Sequence, residues 1–368
     1  MKKNRIAAII IAAGYSSRMN SFKPLLKFEN GTAIERLVDT YRRFGIEDIY
    51  VVVGHRGKEI IEKLKGFEVT FVLNESYPQG MFSSIKKGIM ELDKDIDAFF
   101  MQPVDIPLIK IQTLERLKNS YARCDKGVFY PIFSEKKGHP PLIDCKYKDR
   151  ILNSNSDGGL KRVLEVFQED SLCVPVFDKA ILMDMDKKED YEKLSAYDQQ
   201  NAPTKEECLE IMVQYHVPDP IIKHCEVVES VACIIYNEVN SCGIYLNEHA
   251  LFAAARLHDI ARKEKNHALL GANMIKSIGY DFVGDIIASH MDIKICEEGP
   301  ITEKEILYLA DKLVKEENIC EMDERFGQAL QDNRDNPKAI EKINERWLAA
   351  KAIIKKIERI NGKGFMYE

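Results

Sequence analysis

The chain has 368 residues, 45% hydrophobic and 30% charged, with a formal net charge of -6, which is enough for two or three globular domains of roughly 100–200 residues. The acidic balance offers no basic face for nucleic acid, and no apolar run approaches the roughly 20 residues of a membrane-spanning helix. Nine cysteines, an odd count without any Cys-x-x-Cys pair, argue against a disulfide framework and a cysteine zinc site, and suit a reduced, cytoplasmic setting.

The opening MKKNRIAAIIIAAG places basic residues before an apolar stretch, as a secretory signal would. Its apolar part is rich in isoleucine and runs into Gly14, Ser16, Ser17 and Arg18, so a buried strand over 5–12 is expected instead. Further short apolar runs predict strands at 48–53, 69–73, 97–101, 127–133 and 172–176. Between them lie amphipathic segments such as 32–44, with Ile34, Leu37, Val38 and Tyr41 at helical spacing. This alternation predicts an α/β domain over 1–197 with a doubly wound, mostly parallel sheet, whose ligands sit beyond the carboxyl ends of the strands. The polar segment 198–205 is expected to be a linker. Beyond it the β-branched runs stop, and helical periodicity predicts an all-α domain over 206–368. Its tail, 335–360, should form one helix with Trp347, Ala350, Ile354 and Ile357 near one face.

Residues 9–27, IIIAAGYSSRMNSFKPLLK, carry the first chemical motif. A strand runs into Gly14 and a short polar loop, then Arg18 and Lys23. Such a loop can wrap phosphates with its N–H groups, since glycine permits a tight turn and close approach. The two cations suit a triphosphate that will lose pyrophosphate. The plain reading is a strand-to-helix turn with two exposed cations.

Six blocks in order weigh against the plain reading. Residues 10–26 resemble the L-A-A-G-x-S-x-R-M-G-x-x-K signature of MobA-like NTP transferases. NESYPQGMFSSIKKGI (74–89), QPVDIP (102–107), KKGHPPLI (136–143), NSDGGLKRVL (155–164) and DMDKKEDY (184–191) resemble the molybdenum cofactor cytidylyltransferase branch. The resemblance implies a Rossmann-like nucleotidyltransferase fold and transfer of a cytidylyl group from CTP to molybdopterin. By position it implies that Ala12, Ala13, Gly14, Ser16, Arg18 and Lys23 cradle the triphosphate. Gln79, Gly80, Ser83 and Ser84 would line the base and sugar side, and His139 would meet the pterin. Asp105 would hold Mg²⁺, with Asp186 as the second carboxylate and Asp184 as the other choice. Arg18, Lys23 and Asp105 are the implied catalytic groups. Asn20 in place of a glycine, Pro103-Val104 before the aspartate and Tyr77 in place of a tryptophan depart from the family pattern. Ala-Ala-Gly at 12–14 resembles the CTP-using branch, whereas guanylyl-transferring relatives more often carry Ala-Gly-Gly.

The second half holds His224, His258-Asp259, His267, His290 and Asp311, of which His224, His258, His290 and Asp311 stand in line with apolar positions of a helical pattern. A lone histidine on an apolar face is usually a hydrogen-bonded core residue. Four of them with two aspartates are costly to bury unless one partner satisfies them together, and a metal ion would. The order H…HD…D resembles the HD superfamily of metal-dependent phosphohydrolases. It implies His224, His258, Asp259 and Asp311 as ligands, His267 and His290 as the extra pair of two-metal members, and Asp259 as the catalytic bridge. Mixed imidazole and carboxylate donors suit one or two ions of Mn²⁺, Fe²⁺ or Ni²⁺.

The expected protein is a nucleotidyltransferase with CTP and molybdopterin as partners and a molybdenum hydroxylase apoenzyme as a downstream recipient. An HD-type phosphohydrolase or sensing domain is appended. The alternative keeps the fold, makes a sugar 1-phosphate the acceptor and leaves the second domain regulatory.

Overall fold

The computed structural model describes residues 5–16, 19, 21–155 and 158–365. The chain divides into two compact units, 1–199 and 200–368. In the first, strands β1 (Ile6–Ile11), β2 (Lys27–Phe28), β3 (Gly31–Thr32), β4 (Asp48–Val53), β5 (Thr70–Leu73), β6 (Ala98–Pro103), β7 (Val128–Phe133), β8 (Lys136–Lys137), β9 (Leu142–Asp144) and β10 (Ser171–Pro175) alternate with helices. Those helices are α1 (Ala33–Arg43), α2 (Gly57–Lys63), α3 (Met81–Met90), α4 (Ile111–Arg123), α5 (Lys148–Leu152), α6 (Gly159–Glu165) and α7 (Lys188–Gln199).

The main sheet has the order β10-β7-β9-β6-β1-β4-β5, with β8 on β7. Strand β1 pairs in parallel with both β4 and β6, and β9 alone in that order runs antiparallel to its neighbours. Every residue of β1 is buried, as a parallel strand covered on both faces requires. Its side chains alternate between two cores. Ala8 and Ile10 join Ile34, Leu37 and Tyr41 of α1 on one face, while Ala7, Ile9 and Ile11 join Ile85 and Ile89 of α3 on the other.

Helix α3 packs closely on the sheet because residue 88 is glycine. A Cβ there would lie 2.6 Å from Ile9 Cγ2 and 3.0 Å from Val52 Cγ2. Alanine would favour the helix by up to about 1 kcal/mol, but overpacking costs about 1–3 kcal/mol. Gly88→Ala should therefore lower the melting temperature of the chain, measured by circular dichroism.

The chain leaves β1 for β4 on one side and returns to β6 on the other, so a topological switch point lies at the carboxyl ends of β1 and β6. The first unit runs to the end of α7, where the Asp198 carboxylate accepts from Glu29 N (2.9 Å) and Arg36 Nη2 (2.7 Å). These bonds put residues 198 and 199 with the first unit, not with the expected linker. A capping box of Thr204 and Glu207 starts the next helix.

The second unit comprises α8 (Lys205–Gln214), α9 (Asp219–Ser241), α10 (Glu248–Leu257), α11 (His267–Ser277), α12 (Asp281–Ile287), α13 (Glu303–Lys312), α14 (Met322–Asp332) and α15 (Pro337–Asn361). It is a helical unit with one addition that periodicity did not suggest, a hairpin of β11 (Val314–Lys315) and β12 (Asn318–Ile319). Helix α9 packs on α10 and α13, and α12 packs on α10 and α11. In α15 the buried stripe is Ala350, Ile353 and Ile357, and Ile354 stands beside it, half-buried. A buried pair, Lys356 Nζ to Glu305 Oε1 at 2.6 Å, ties α15 to α13. Among the described residues no helix is long and apolar enough to cross a membrane.

Candidate active site and metal centre

At the switch point lies a cavity of about 500 Å³. Ala12, Ala13, Gly14 and Ser16 reach it from the end of β1, and Gly80 and Ser84 from the start of α3. Lys23, Asp105 and Asp186 line its charged end. Arg18 and Asn20 lie outside the described residues.

The expected glycine turn sits elsewhere than anticipated. Ser16, not Gly14, takes the left-handed conformation (φ +56°), and its Oγ accepts from Lys23 N at 3.1 Å. A Cβ at Gly14 would meet no atom within 4 Å, so the room that glycine leaves belongs to the cavity. Asp105 is presented by the turn after β6. Buried Gln102 braces that turn, donating through Nε2 to the carbonyls of Pro103 and Ile106 (2.9 Å each) and accepting from Tyr41 OH (3.2 Å).

Lys23 Nζ stands between the two expected metal carboxylates, 2.7 Å from Asp186 Oδ1 and 3.3 Å from Asp105 Oδ2. Burial and the negative charges of Asp186 and Asp105 raise the Asp184 carboxyl above its usual range. An all-oxygen donor set that already holds a cation fits Mg²⁺, which prefers oxygen ligands and keeps several waters.

Of the base-side residues, Gly80 and Ser84 line this cavity. Gln79 and Ser83 instead line an adjoining cleft of about 780 Å³ with Lys86. Successive helical residues point about 100° apart, and Ser83 and Ser84 on the first turn of α3 line different cavities. Buried Asn74 clasps both, donating through Nδ2 to Ser83 Oγ (3.0 Å) and Ser84 Oγ (2.9 Å). Neither Asn74 nor Gln102 was singled out from sequence, since a buried amide has no periodic signature.

His139 borders a third cavity of about 590 Å³ that shares Ile11, Met81 and Pro103 with the first. Its other walls include Phe82, Ile85, Met101, Tyr130 and Leu160. His139 Nδ1 is buried and has no hydrogen-bond partner among the described residues. Burial holds the imidazole below its usual pKa against the pull of Asp105.

In the second unit the six expected ligands converge. His224 lies in α9 and Asp311 in α13, but the others sit at helix ends, not within inward faces. His258 and Asp259 follow α10, His267 opens α11, and His290 follows α12. Helix ends leave carbonyls unpaired, and the histidines use them. His258 Nδ1 is 2.9 Å from Ala255 O and His290 Nδ1 is 2.8 Å from Ile287 O, both three residues back. His224 Nδ1 is 2.7 Å from the carbonyl of Glu316, a hairpin residue with φ +56°. An Nδ1 set against a carbonyl carries a proton, so that in the neutral ring the Nε2 lone pair is the one available to a metal. Burial opposes charge on His258, but Cys225 and Asp259 raise it above its usual range.

The two oxygens of Asp259 divide the cluster. Oδ2 lies 3.5 Å from His258 Nε2 and 3.8 Å from His224 Nε2, while Oδ1 lies 3.4 Å from His267 Nε2 and 3.5 Å from His290 Nε2. Asp311 Oδ1 completes the first set, 3.3 Å from His224 Nε2 and 3.7 Å from His258 Nε2. His258 Nε2 is buried without a hydrogen-bond partner among the described residues. His267 and His290 face each other, Nε2 to Nε2, at 3.2 Å. An orphaned ring nitrogen and two nitrogens in opposition are what divalent ions would satisfy, one on each side of Asp259.

Burial opposes charge on Asp259, yet His258, His290 and Arg262 pull its carboxyl below the usual range; Lys312, His224 and His258 do so for Asp311. Burial holds His267 and His290 below the usual imidazole range against the pull of Asp259. Lys312 is buried, with Nζ 2.6 Å from Asp311 Oδ2 and 3.0 Å from His290 O. Arg262 Nη1 lies 3.1 Å from Asp259 Oδ2 at a cleft that also carries Lys315 and Arg325. In sequence these cations look like ordinary solvated charges.

The fold and the two sites define the class of protein. Residues 8–172 match the model of the MobA-like NTP transferase domain and residues 221–315 that of the HD domain, both enzyme families. Among relatives, the first unit is 25% identical over 187 residues to the molybdenum cofactor cytidylyltransferase of Escherichia coli strain K12, covering 50% of this chain and 93% of that protein. It is 26% identical over 173 residues to the bifunctional protein GlmU of Francisella tularensis subsp. novicida, covering 46% of this chain and 37% of that protein. A nucleotidyl transferase structure from Methanothermobacter thermautotroptrophicus superposes with a TM-score of 0.47 at 24% identity, over 53% of this chain and 98% of that one.

Proposed function

We propose that the first unit transfers a cytidylyl group from CTP to molybdopterin and releases pyrophosphate, and that the second is a metal-dependent phosphohydrolase. The observation that carries the transferase reading is the charged end of the switch-point cavity, where Asp105, Asp186 and Lys23 meet beside the open loop at 12–16.

Bound Mg²⁺ would be held by Asp105 and Asp186 and would neutralise the triphosphate. Lys23, released to the phosphates, stabilises charge developing on the departing pyrophosphate. Ala12–Gly14 leave room for the phosphate chain beside the backbone. The terminal phosphate oxygen of the pterin attacks the α-phosphorus, the bond to the β-phosphate oxygen breaks, and pyrophosphate leaves. Positioning and charge stabilisation suffice, and no protein nucleophile is needed. The cavity beside His139 would seat the acceptor. Its apolar walls at Phe82, Ile85, Met101 and Leu160 would pack against the faces of a flat heterocycle, and polar groups such as His139, Lys137 and Gln168 would meet its edge.

Incubating the chain with Mg²⁺, molybdopterin and each of the four NTPs in turn tests this reading. Pyrophosphate and a dinucleotide form of the cofactor should appear with CTP. Turnover with a sugar 1-phosphate in place of molybdopterin would overturn the acceptor.

For the second unit, the His224, His258, Asp259 and Asp311 set and the Asp259, His267 and His290 set would each hold an ion of Mn²⁺, Fe²⁺ or Ni²⁺. Bound metal supplies an activated water. Arg262, Lys315 and Arg325 stand at the mouth of the site beside Glu316 and Glu317, and these cations would meet the phosphate of an ester. With Mn²⁺ the full chain should hydrolyse phosphodiester or nucleotide substrates. EDTA should abolish that hydrolysis, and Mn²⁺ should restore it. Nucleotide binding by calorimetry without any hydrolysis would favour the sensing role instead.

A further inference from the structure

Lys23 has a second place to go besides the phosphates. Its backbone is pinned to the loop at 12–16 by the bond from Lys23 N to Ser16 Oγ. Its side chain is largely buried and reaches across to carboxylates 82 and 163 residues away in sequence. The ammonium lies within 3.3 Å of both. It sits where a divalent ion would need to sit in order to bind the same two groups.

We propose that Lys23 is the resident counter-ion of Asp105 and Asp186, so that the metal enters with the nucleotide and not before it. This rests on the reading of those two aspartates as the metal ligands. Without nucleotide, the ammonium neutralises part of the carboxylate charge and keeps Asp105 and Asp186 close together. A free divalent ion must displace it and dehydrate, with no new anion to hold the displaced cation. A triphosphate changes that balance. It offers the ammonium several anionic oxygens within reach of a flexible four-carbon stem, and the carboxylates are then free for the metal that arrives on the same phosphates. Lys23 thus serves first as a positioning residue for the carboxylates and later as a phosphate ligand. The arrangement disfavours a metal-loaded site that lacks its nucleotide.

The test is Mn²⁺ binding without nucleotide, read from the electron paramagnetic resonance signal of free Mn²⁺. The full chain is used with His258→Ala and Asp259→Ala to silence the second unit. Lys23→Met keeps most of the apolar stem and removes the charge. It should tighten Mn²⁺ binding at the first unit about tenfold, equivalent to about 1.4 kcal/mol, and adding Asp105→Asn should erase the gain. Lys23→Gln, compared by circular dichroism, provides a second variant if methionine disturbs the fold. Equal or weaker Mn²⁺ binding in both Lys23 variants would overturn the counter-ion role while leaving the metal reading intact. A gain that survives Asp105→Asn would overturn the metal reading, and the counter-ion role with it.

Discussion

Asp259→Asn should strip the second unit of metal on both sides at once. Each carboxylate oxygen faces a different pair of histidines, so one substitution weakens two sites that share no other ligand. At metal concentrations about 100 times the dissociation constant, binding to the native state contributes about 2.7 kcal/mol. For a unit of this size that corresponds to a melting-temperature gain of about 5–10 °C. The wild-type chain should show that gain on adding Mn²⁺, and Asp259→Asn should not. Before metal is added the two chains should melt close together. The substitution removes a buried charge along with its attractions to His258 and Arg262, and the two effects oppose each other. Metal content by mass spectrometry should fall with the shift, and a variant that keeps both would remove Asp259 from the centre of the cluster.

Asp105→Asn should cut CTP-dependent pyrophosphate release by at least about a hundred- to a thousand-fold, the usual loss when one group that stabilises developing charge is removed. The fold should survive. Asp105 is partly exposed at the cavity, and the turn that presents it is braced by Gln102, not by the Asp105 carboxylate. The comparison that matters is with Asp184→Asn. The two carboxylates differ by their partner. Asp186 and Asp105 share the Lys23 ammonium, whereas burial and its acidic neighbours raise the Asp184 carboxyl above its usual range. The loss in Asp184→Asn should therefore be much the smaller. Equal losses would move Asp184 into the metal-binding set, and near-wild-type release in Asp105→Asn would end the assignment.

Much of this architecture was legible in the chain itself. The six runs read as strands became β1, β4, β5, β6, β7 and β10. For the central β1, β4 and β6 the reason is that a strand buried on both faces must be apolar throughout and is short, while the edge strands β5 and β10 are partly exposed and show as shorter apolar runs. The clustering of histidines and aspartates in the second unit was legible for the opposite reason, since such residues in line with apolar positions need a common partner. Short elements were not legible. The hairpin at 314–319 and strand β9 are two or three residues each, too short for any period to show, yet the hairpin supplies the carbonyl that orients His224.

What sequence determined by itself was chemical type and order: a parallel α/β unit with a phosphate-suited loop, then a helical unit with six metal-type ligands. Tertiary structure decided which groups actually meet. It turned the loop at Ser16 and not at Gly14, and it sent Ser83 and Ser84 to different cavities. It also brought Asn74, Gln102, Arg262 and Lys312 to the sites, although they look ordinary in sequence. The reason is one of range. Periodicity reports which face a residue occupies within one helix or strand, whereas a hydrogen bond between Lys23 and Asp186, 163 residues apart, depends on how separate elements pack. Only the folded chain specifies that.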